Sequence, residues 1–198
     1  MTKQDEVIDG RRQRSERSKK AVLNACEVLM KEGQLVPTAQ MISDKAGVPI
    51  RSFFRHFPDM QTLFRELDAS LQPGYERSFA EVVCNGSLSE RIESAVKLHA
   101  KTFEESKPIL RSTKAQLWRY EVLQENYARW QRRIRKDLDI RIPELNDIDA
   151  DARELIDSFT SFEMWTRLRD HQKLSQKKST KLIQDLVEKT ILDALLAN

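Results

Sequence analysis

The chain has 198 residues, 39% hydrophobic and 33% charged, with 34 Lys and Arg against 31 Asp and Glu for a net charge of +3. That length suits one or two small domains with a buried core, and no apolar run approaches the roughly 18 residues of a membrane span. The N-terminus lacks the apolar stretch of a secretory signal, so a soluble, cytoplasmic protein without membrane contact is expected.

Five glycines, six prolines and an abundance of Ala, Leu, Glu, Lys, Arg and Gln leave little room for a sheet. The expected fold class is all-α. Cys26 and Cys84 stand far apart without a CxxC pattern, which reads as two reduced thiols.

In chain order, the first ten residues are polar and expected to lack fixed structure. Arg11, Arg12, Arg14, Arg17, Lys19 and Lys20, interrupted by Glu16, then give a flexible basic arm over residues 1–12 and a basic start to a first helix over about 13–31. Val22, Ala25, Cys26 and Leu29 share one face of that helix, and Gly33 ends it. A short helix follows over 38–46, with Thr38 as its cap and Met41 and Ile42 on the buried side. Gly47 breaks it. Val48 packs under the turn, and Pro49 presets φ for a further helix opened by Ile50, Arg51 and Ser52. Phe53, Phe54 and Phe57 follow at helical spacing, Pro58 stops the helix, and Asp59 caps another that carries Leu63, Phe64 and Leu67 inward.

Two short helices about a glycine turn form a helix-turn-helix, in which the second helix lies in the DNA major groove and meets base edges through its N-terminal residues. Those residues are Pro49, Ile50, Arg51, Ser52 and Phe54. Arg51 is suited to a bidentate bond to guanine, Ser52 to several bases and Ile50 to a thymine methyl. Thr38 and Gln40, at the start of the supporting helix, are placed for phosphate, with capping as the alternative for Thr38.

Leu71-Gln72-Pro73-Gly74 marks an expected boundary between a headpiece, residues 13–70, and a second domain, residues 71–198. A segment over 75–83 stops at Asn85-Gly86, and Ser87 with Glu90 forms a capping box for a helix reaching 106, with Ile92, Val96, His99, Ala100 and Phe103 on one face. Pro108 opens a long pattern over 109–140, bent at Ser112-Thr113 or at Asn126. After Pro143 and an Asn146-Asp147 turn, a helix over 149–171 is expected with Asp151 and Glu154 as its capping box, and Ser175 caps the last helix.

The run Ile42-Ser43-Asp44-Lys45-Ala46-Gly47-Val48, followed by Phe53-Phe54-Arg55-His56-Phe57, resembles the signature of the tetracycline-repressor (TetR) family of bacterial regulators. The resemblance covers residues 21–67 specifically, and the remainder only by length and helical character. It implies a three-helix DNA-binding headpiece followed by a helical ligand-binding and dimerisation domain. The implied protein is a homodimeric transcriptional regulator, a repressor, that binds a palindromic double-stranded DNA operator and is released by a small-molecule effector. It implies phosphate contact by His56, and for Arg55 either phosphate contact or an internal pair. Two positions depart from the family's pattern: Phe54 stands where a tyrosine hydroxyl meets phosphate, and Met60 where a lysine is common. The alternative reading is a helical ligand-binding or scaffold protein whose helix-turn-helix does not bind DNA.

The family keeps its ligand pocket among the central helices. His99, Phe103, Gln116, Trp118, Tyr120, Tyr127, Phe159, Phe162 and Glu163 are the candidate lining, a mix that suits a largely apolar effector. The last two helices pair with their mates in the family, which makes Phe162, Trp165, Ile183, Leu186, Val187, Ile191 and Leu195 the candidate dimer interface; an intramolecular core is the other reading of such wide apolar faces. His56, His99 and His171 belong to no metal-ligand pattern, and no nucleophile elbow, phosphate loop or dinucleotide fingerprint is present. Neither catalysis nor a cofactor is expected.

Overall fold

The computed structural model describes residues 3–80 and 85–197, and over these it contains α-helices, one 3₁₀ turn, one π turn and no strand. The helices are α1 (Lys3–Lys31), α2 (Ala39–Ala46), α3 (Ile50–His56), α4 (Met60–Ala80), α5 (Leu88–Gln116), α6 (Glu121–Arg141), α7 (Ala150–Phe159), α8 (Phe162–Thr166) and α9 (Gln176–Ala197). They form two compact units: unit 1 is Met1–Pro73 with Lys107–Tyr127, and unit 2 is Gly74–Ser106 with Ala128–Asn198.

Unit 1 is built on a single apolar core. Val22, Cys26, Ile42, Phe53, Phe57 and Leu63 are all at 0% exposure, closed on the far side by Val122 and Leu123 of α6. The local signals read from the sequence act here. Gly33 (φ 94°) and Gly47 (φ 62°) adopt the left-handed conformation that ends α1 and α2. Beyond Gly47, the Val48 amide donates to the Ser43 carbonyl at 3.0 Å. The Met41 amide donates to Thr38 Oγ1 at 3.2 Å, and the Thr62 amide to Asp59 Oδ1 at 2.7 Å, so both predicted caps form.

Unit 2 packs the N-terminal part of α5 and most of α6 with α7, α8 and α9. The capping box at the start of α5 is present, with the Ser87 amide donating to Glu90 Oε2 at 2.8 Å. Ser175 caps α9 by accepting from the Lys178 amide at 3.2 Å. Polar ties join the helices. Arg91 of α5 pairs with Glu144 of the 3₁₀ turn Pro143–Asn146, Arg153 of α7 with Asp139 of α6 at 2.7 Å, and Glu104 of α5 accepts from Trp165 Nε1 at 3.1 Å and Arg169 Nε at 2.8 Å.

Several boundaries differ from the sequence reading. Helix α1 begins at Lys3, so residues 3–12, expected to form the arm, are its first turns. Helix α4 runs through Pro73 and α5 through Pro108. A proline inside a helix costs one backbone hydrogen bond and strains the preceding turn, but buried side chains such as Phe103 and Leu110 flank Pro108 and keep the helix going. The long pattern after Pro108 bends neither at Ser112 nor at Asn126 but over residues 117–120, where Gln124 Nε2 donates to the Leu117 carbonyl at 2.7 Å. The cap of α7 is Asp149, accepting from the Ala152 amide at 2.9 Å, rather than Asp151 with Glu154. The expected helix over 149–171 is broken at Thr160–Ser161 into α7 and α8, and α8 runs into the π turn Arg167–His171. The predicted segment over 75–83 and Cys84 fall partly or wholly outside the described residues. Cys26 is a free thiol buried in unit 1, as the reading of a reduced thiol has it, and burial, with Glu27 beside it, pushes it up to about 12.

Candidate nucleic-acid interface

Helix α3 is seven residues long, too short to persist by itself, and it is held by its inner face. Phe53 lies edge-on to Phe54 at 5.2 Å and tilted against Phe57 at 5.8 Å, with Phe53 and Phe57 fully buried and Phe54 49% exposed. The outer face therefore carries Arg51, Phe54 and Arg55 into solvent, with Ser52 and Ile50 half-buried at its edge. Neither arginine forms an intrachain hydrogen bond or ion pair among the described residues, so Arg55 is not internally paired. Pro49 is exposed at the N-cap.

The supporting helix presents Thr38 and Gln40 on the same exposed end of α2. Thr38 is occupied as the cap, and Gln40 Nε2 donates to Asp44 Oδ1 at 2.8 Å. The first backbone amides of α2 stand at this exposed end, where the helix dipole favours an anion.

His56 is the residue that the structure places differently. Its Nε2 is buried without a hydrogen-bond partner, which removes that nitrogen from direct phosphate contact. Burial lowers its pKa from the ordinary 6.5, reinforced by Arg55 and by Lys19 of α1, against a weaker opposite pull from Glu16. The folded chain thus binds fewer protons at His56 than the unfolded chain. The associated stability is fully present above about pH 6.5 and is lost as pH falls from there through the lower folded value. Urea unfolding at pH 8 and pH 5 is expected to show a larger acid loss for the natural protein than for His56→Gln; equal losses would remove His56 as the cause.

The two other candidate sets divide between the units. Gln116, Trp118, Tyr120 and Tyr127 belong to unit 1. Gln116 Nε2 and Ser112 Oγ both donate to the Leu35 carbonyl, at 3.1 and 2.9 Å; Tyr120 packs edge-on to Phe64 at 5.3 Å; Lys114 lies over the Tyr127 ring at 5.7 Å; and Trp118 is 81% exposed. Within unit 1 these side chains take structural or solvent-facing positions. In unit 2, His99 and Phe103 line a small internal cavity, while Phe162 and Glu163 line an open cleft of about 320 Å³. Phe159 is half-buried at the end of α7 and lines neither.

The structure corrects most of the proposed dimer surface. Phe162, Trp165, Ile183, Val187 and Ile191 are 2% exposed or less, committed to the core of their own chain. Leu186 is half-buried and Leu195 sits at 36% exposure. Among the described residues, the large apolar side chains that remain outward in unit 2 are Ile140 of α6, Leu155 of α7 and Leu192, Leu195 and Leu196 of α9.

A crystal structure of a proposed transcriptional regulator, SCO7518 of Streptomyces coelicolor A3(2), superposes on 88% of this chain and 98% of its own length, with a TM-score of 0.58 and 22% sequence identity. The likeness is one of fold. No protein-family model and no curated protein matches the chain. Among the described residues there is no group of His, Cys, Asp and Glu able to hold a metal ion, and no helix is long and apolar enough to cross a membrane.

The sequence reading missed the buried group around His99. Asp137 Oδ2 meets His99 Nε2 at 2.8 Å, and Arg141 Nε donates to Asp137 at 2.8 and 2.9 Å. An Asp and an Arg four apart, flanked by Ile134, Leu138 and Ile142, was the available signal: charges on a stripe that faces the core.

Proposed function

We propose that the protein is a ligand-responsive, DNA-binding transcriptional regulator of the TetR kind. It acts as a cytoplasmic homodimeric repressor, without enzymatic activity, that leaves a palindromic operator when a small, largely apolar effector binds. The observation that carries this reading is the division of α3. Phe53 and Phe57 anchor the helix in the core, and Arg51, Phe54 and Arg55 stand outward with both guanidinium groups unengaged. An anchored inner face with basic side chains outward, neither of them in a hydrogen bond or ion pair among the described residues, is the arrangement a major-groove reader requires. The SCO7518 likeness supports the fold on which the reading rests.

In this reading Arg51 and Ser52 meet base edges, Phe54 offers an apolar contact, and Arg55 and the α2 N-terminus hold phosphates. Leu192, Leu195 and Leu196, spaced to share one side of α9, supply the dimer face together with Leu155. Two reading helices must sit roughly 34 Å apart to enter successive major grooves, so a modest rotation of each headpiece removes affinity.

Selection of bound sequences from a random DNA pool at two salt concentrations tests the reading. An enriched palindrome whose binding falls steeply with salt supports it, and no enrichment by a folded dimer turns to the scaffold reading, which the missing Phe54 hydroxyl favours. Arg51→Ala is expected to cost about 1–3 kcal/mol of operator binding and to relax preference at one base position per half-site. Uniform weakening across all sequences would make Arg51 a phosphate ligand instead.

A further inference from the structure

Unit 2 holds two spaces separated by aromatic rings. The outer one is the cleft of about 320 Å³, with Trp130, Ile134 and Phe162 as apolar wall and Gln131 and Arg132 at its edge. That is within the range of small-molecule sites. The inner one, about 10 Å³, lies among Val96, His99, Ala100, Phe103, Thr160 and Ile183. It has room for one water-sized group. Phe103 lines the inner space, Trp130 and Phe162 the outer, and the three rings touch: Phe103 lies 5.7 Å from Trp130 and 5.7 Å from Phe162, and Trp130 lies 6.3 Å from Phe162.

His99 gives the inner space its chemistry. The ring is 98% buried between Phe79 and Phe103, at 6.1 and 6.2 Å. Its Nε2 is taken by Asp137, while Nδ1, on a ring that lines the cavity, is a buried atom with no hydrogen-bond partner. A carboxylate only accepts, so the Nε2 beside Asp137 is the donor of that pair and Nδ1 is the ring nitrogen left without a partner. An acceptor buried against an apolar wall is costly unless something donates to it. Phe162, the cleft-side ring between the two spaces, opens α8, a helix of only five residues between the Thr160–Ser161 break and the π turn.

We propose that cleft and cavity are two ends of one ligand site, partitioned by the touching Phe103 and Phe162 rings, which takes a flat, largely apolar molecule ending in a hydroxyl or N–H that donates to His99 Nδ1. This deepens the effector part of the regulator reading but stands on unit 2 alone. The test uses the full chain without DNA, with 2-naphthol and 2-methoxynaphthalene as probes that differ in the donor and in one methyl group, the His99→Leu variant separating the two effects. Calorimetry is expected to show at least tenfold tighter binding of 2-naphthol. Phe162→Ala, which removes the cleft-side ring of the partition, should tighten 2-naphthol by a further tenfold and keep the preference, and His99→Leu should bind both probes alike. In protein labelled with ¹⁵N-histidine, the His99 Nδ1 resonance should move with 2-naphthol and stay with the ether, a readout that stands even if His99→Leu fails to fold. Equal binding of the two probes by the natural protein and Phe162→Ala, or a preference that survives His99→Leu, overturns the proposal. Because no DNA is present, failure of operator selection and failure of this site are separate results.

Discussion

Replacing Asp137 with alanine is expected to destabilise unit 2 by about 3–5 kcal/mol, the scale of removing one member of a buried ion pair. Asp137 is 4% exposed and accepts from both Arg141 and His99, themselves 4% and 2% exposed. Without the carboxylate, the Arg141 guanidinium keeps its charge in an apolar surrounding and His99 loses the acceptor for Nε2–H. Two opposed effects set the natural balance: desolvating the charges is unfavourable, and their close geometry offsets much of that cost. The geometry accounts for the pair only while both members remain. Joint replacement of His99, Asp137 and Arg141 by Phe, Leu and Met is therefore expected to cost much less than Asp137→Ala alone. Urea unfolding of the two variants decides the matter. A cost below about 1 kcal/mol for Asp137→Ala would mean that solvent reaches the pair.

Phe53→Ala is expected to cost unit 1 a similar amount, about 3–5 kcal/mol, for a different reason. No charge is stranded; the loss is apolar burial plus the cavity left where a fully buried ring touched Phe54 and Phe57. Helix α3 has little helical stability of its own, so its position depends on this side chain. Against a typical total of 5–15 kcal/mol, the loss is large enough to release α3 from the core. Hydrogen exchange should then accelerate in α2 and α3 first, and DNA binding should fall together with that protection. Normal protection with lost DNA binding would instead give Phe53 a direct contact role, at odds with its burial.

The elements read correctly from the sequence are those fixed within a few residues. Thr38, Gly47, Asp59, the Ser87–Glu90 pair and Ser175 each act on an amide or a φ angle next to them, and each sits where expected. The failures share a longer reach. Ser112 looked like a bend because a hydroxyl within a helix competes for the backbone, but its partner is the Leu35 carbonyl, 77 residues away in sequence. His99 was visible as a polar residue on an apolar face, and Asp137, 38 positions on, was not. Pro73 and Pro108 read as boundaries because local strain is all that a sequence displays, whereas the packing that overrides it is tertiary. The wide apolar faces of α8 and α9 raised the same ambiguity, and burial resolves it: Trp165, Ile183 and Val187 serve the chain's own core. On α3 the outward position of Arg51 was legible from its place at the start of the helix, while the burial of His56 Nε2 depended on how closely α3 packs.

The bonds from Ser112 and Gln116 to Leu35 have a bearing on how the chain folds. Val122 and Leu123 close the unit 1 core, and between them and Pro73 lies a stretch, Gly74–Ser106, that belongs to unit 2. During synthesis from the N-terminus, the first 73 residues emerge with their core open on one side, and closure waits for about fifty more. The α2–α3 pair thus forms locally and early but is sealed late, by contacts of high sequence separation, whose closure is slow. A fragment ending at Pro73 would retain every local signal of the motif and lack the segment that completes its core.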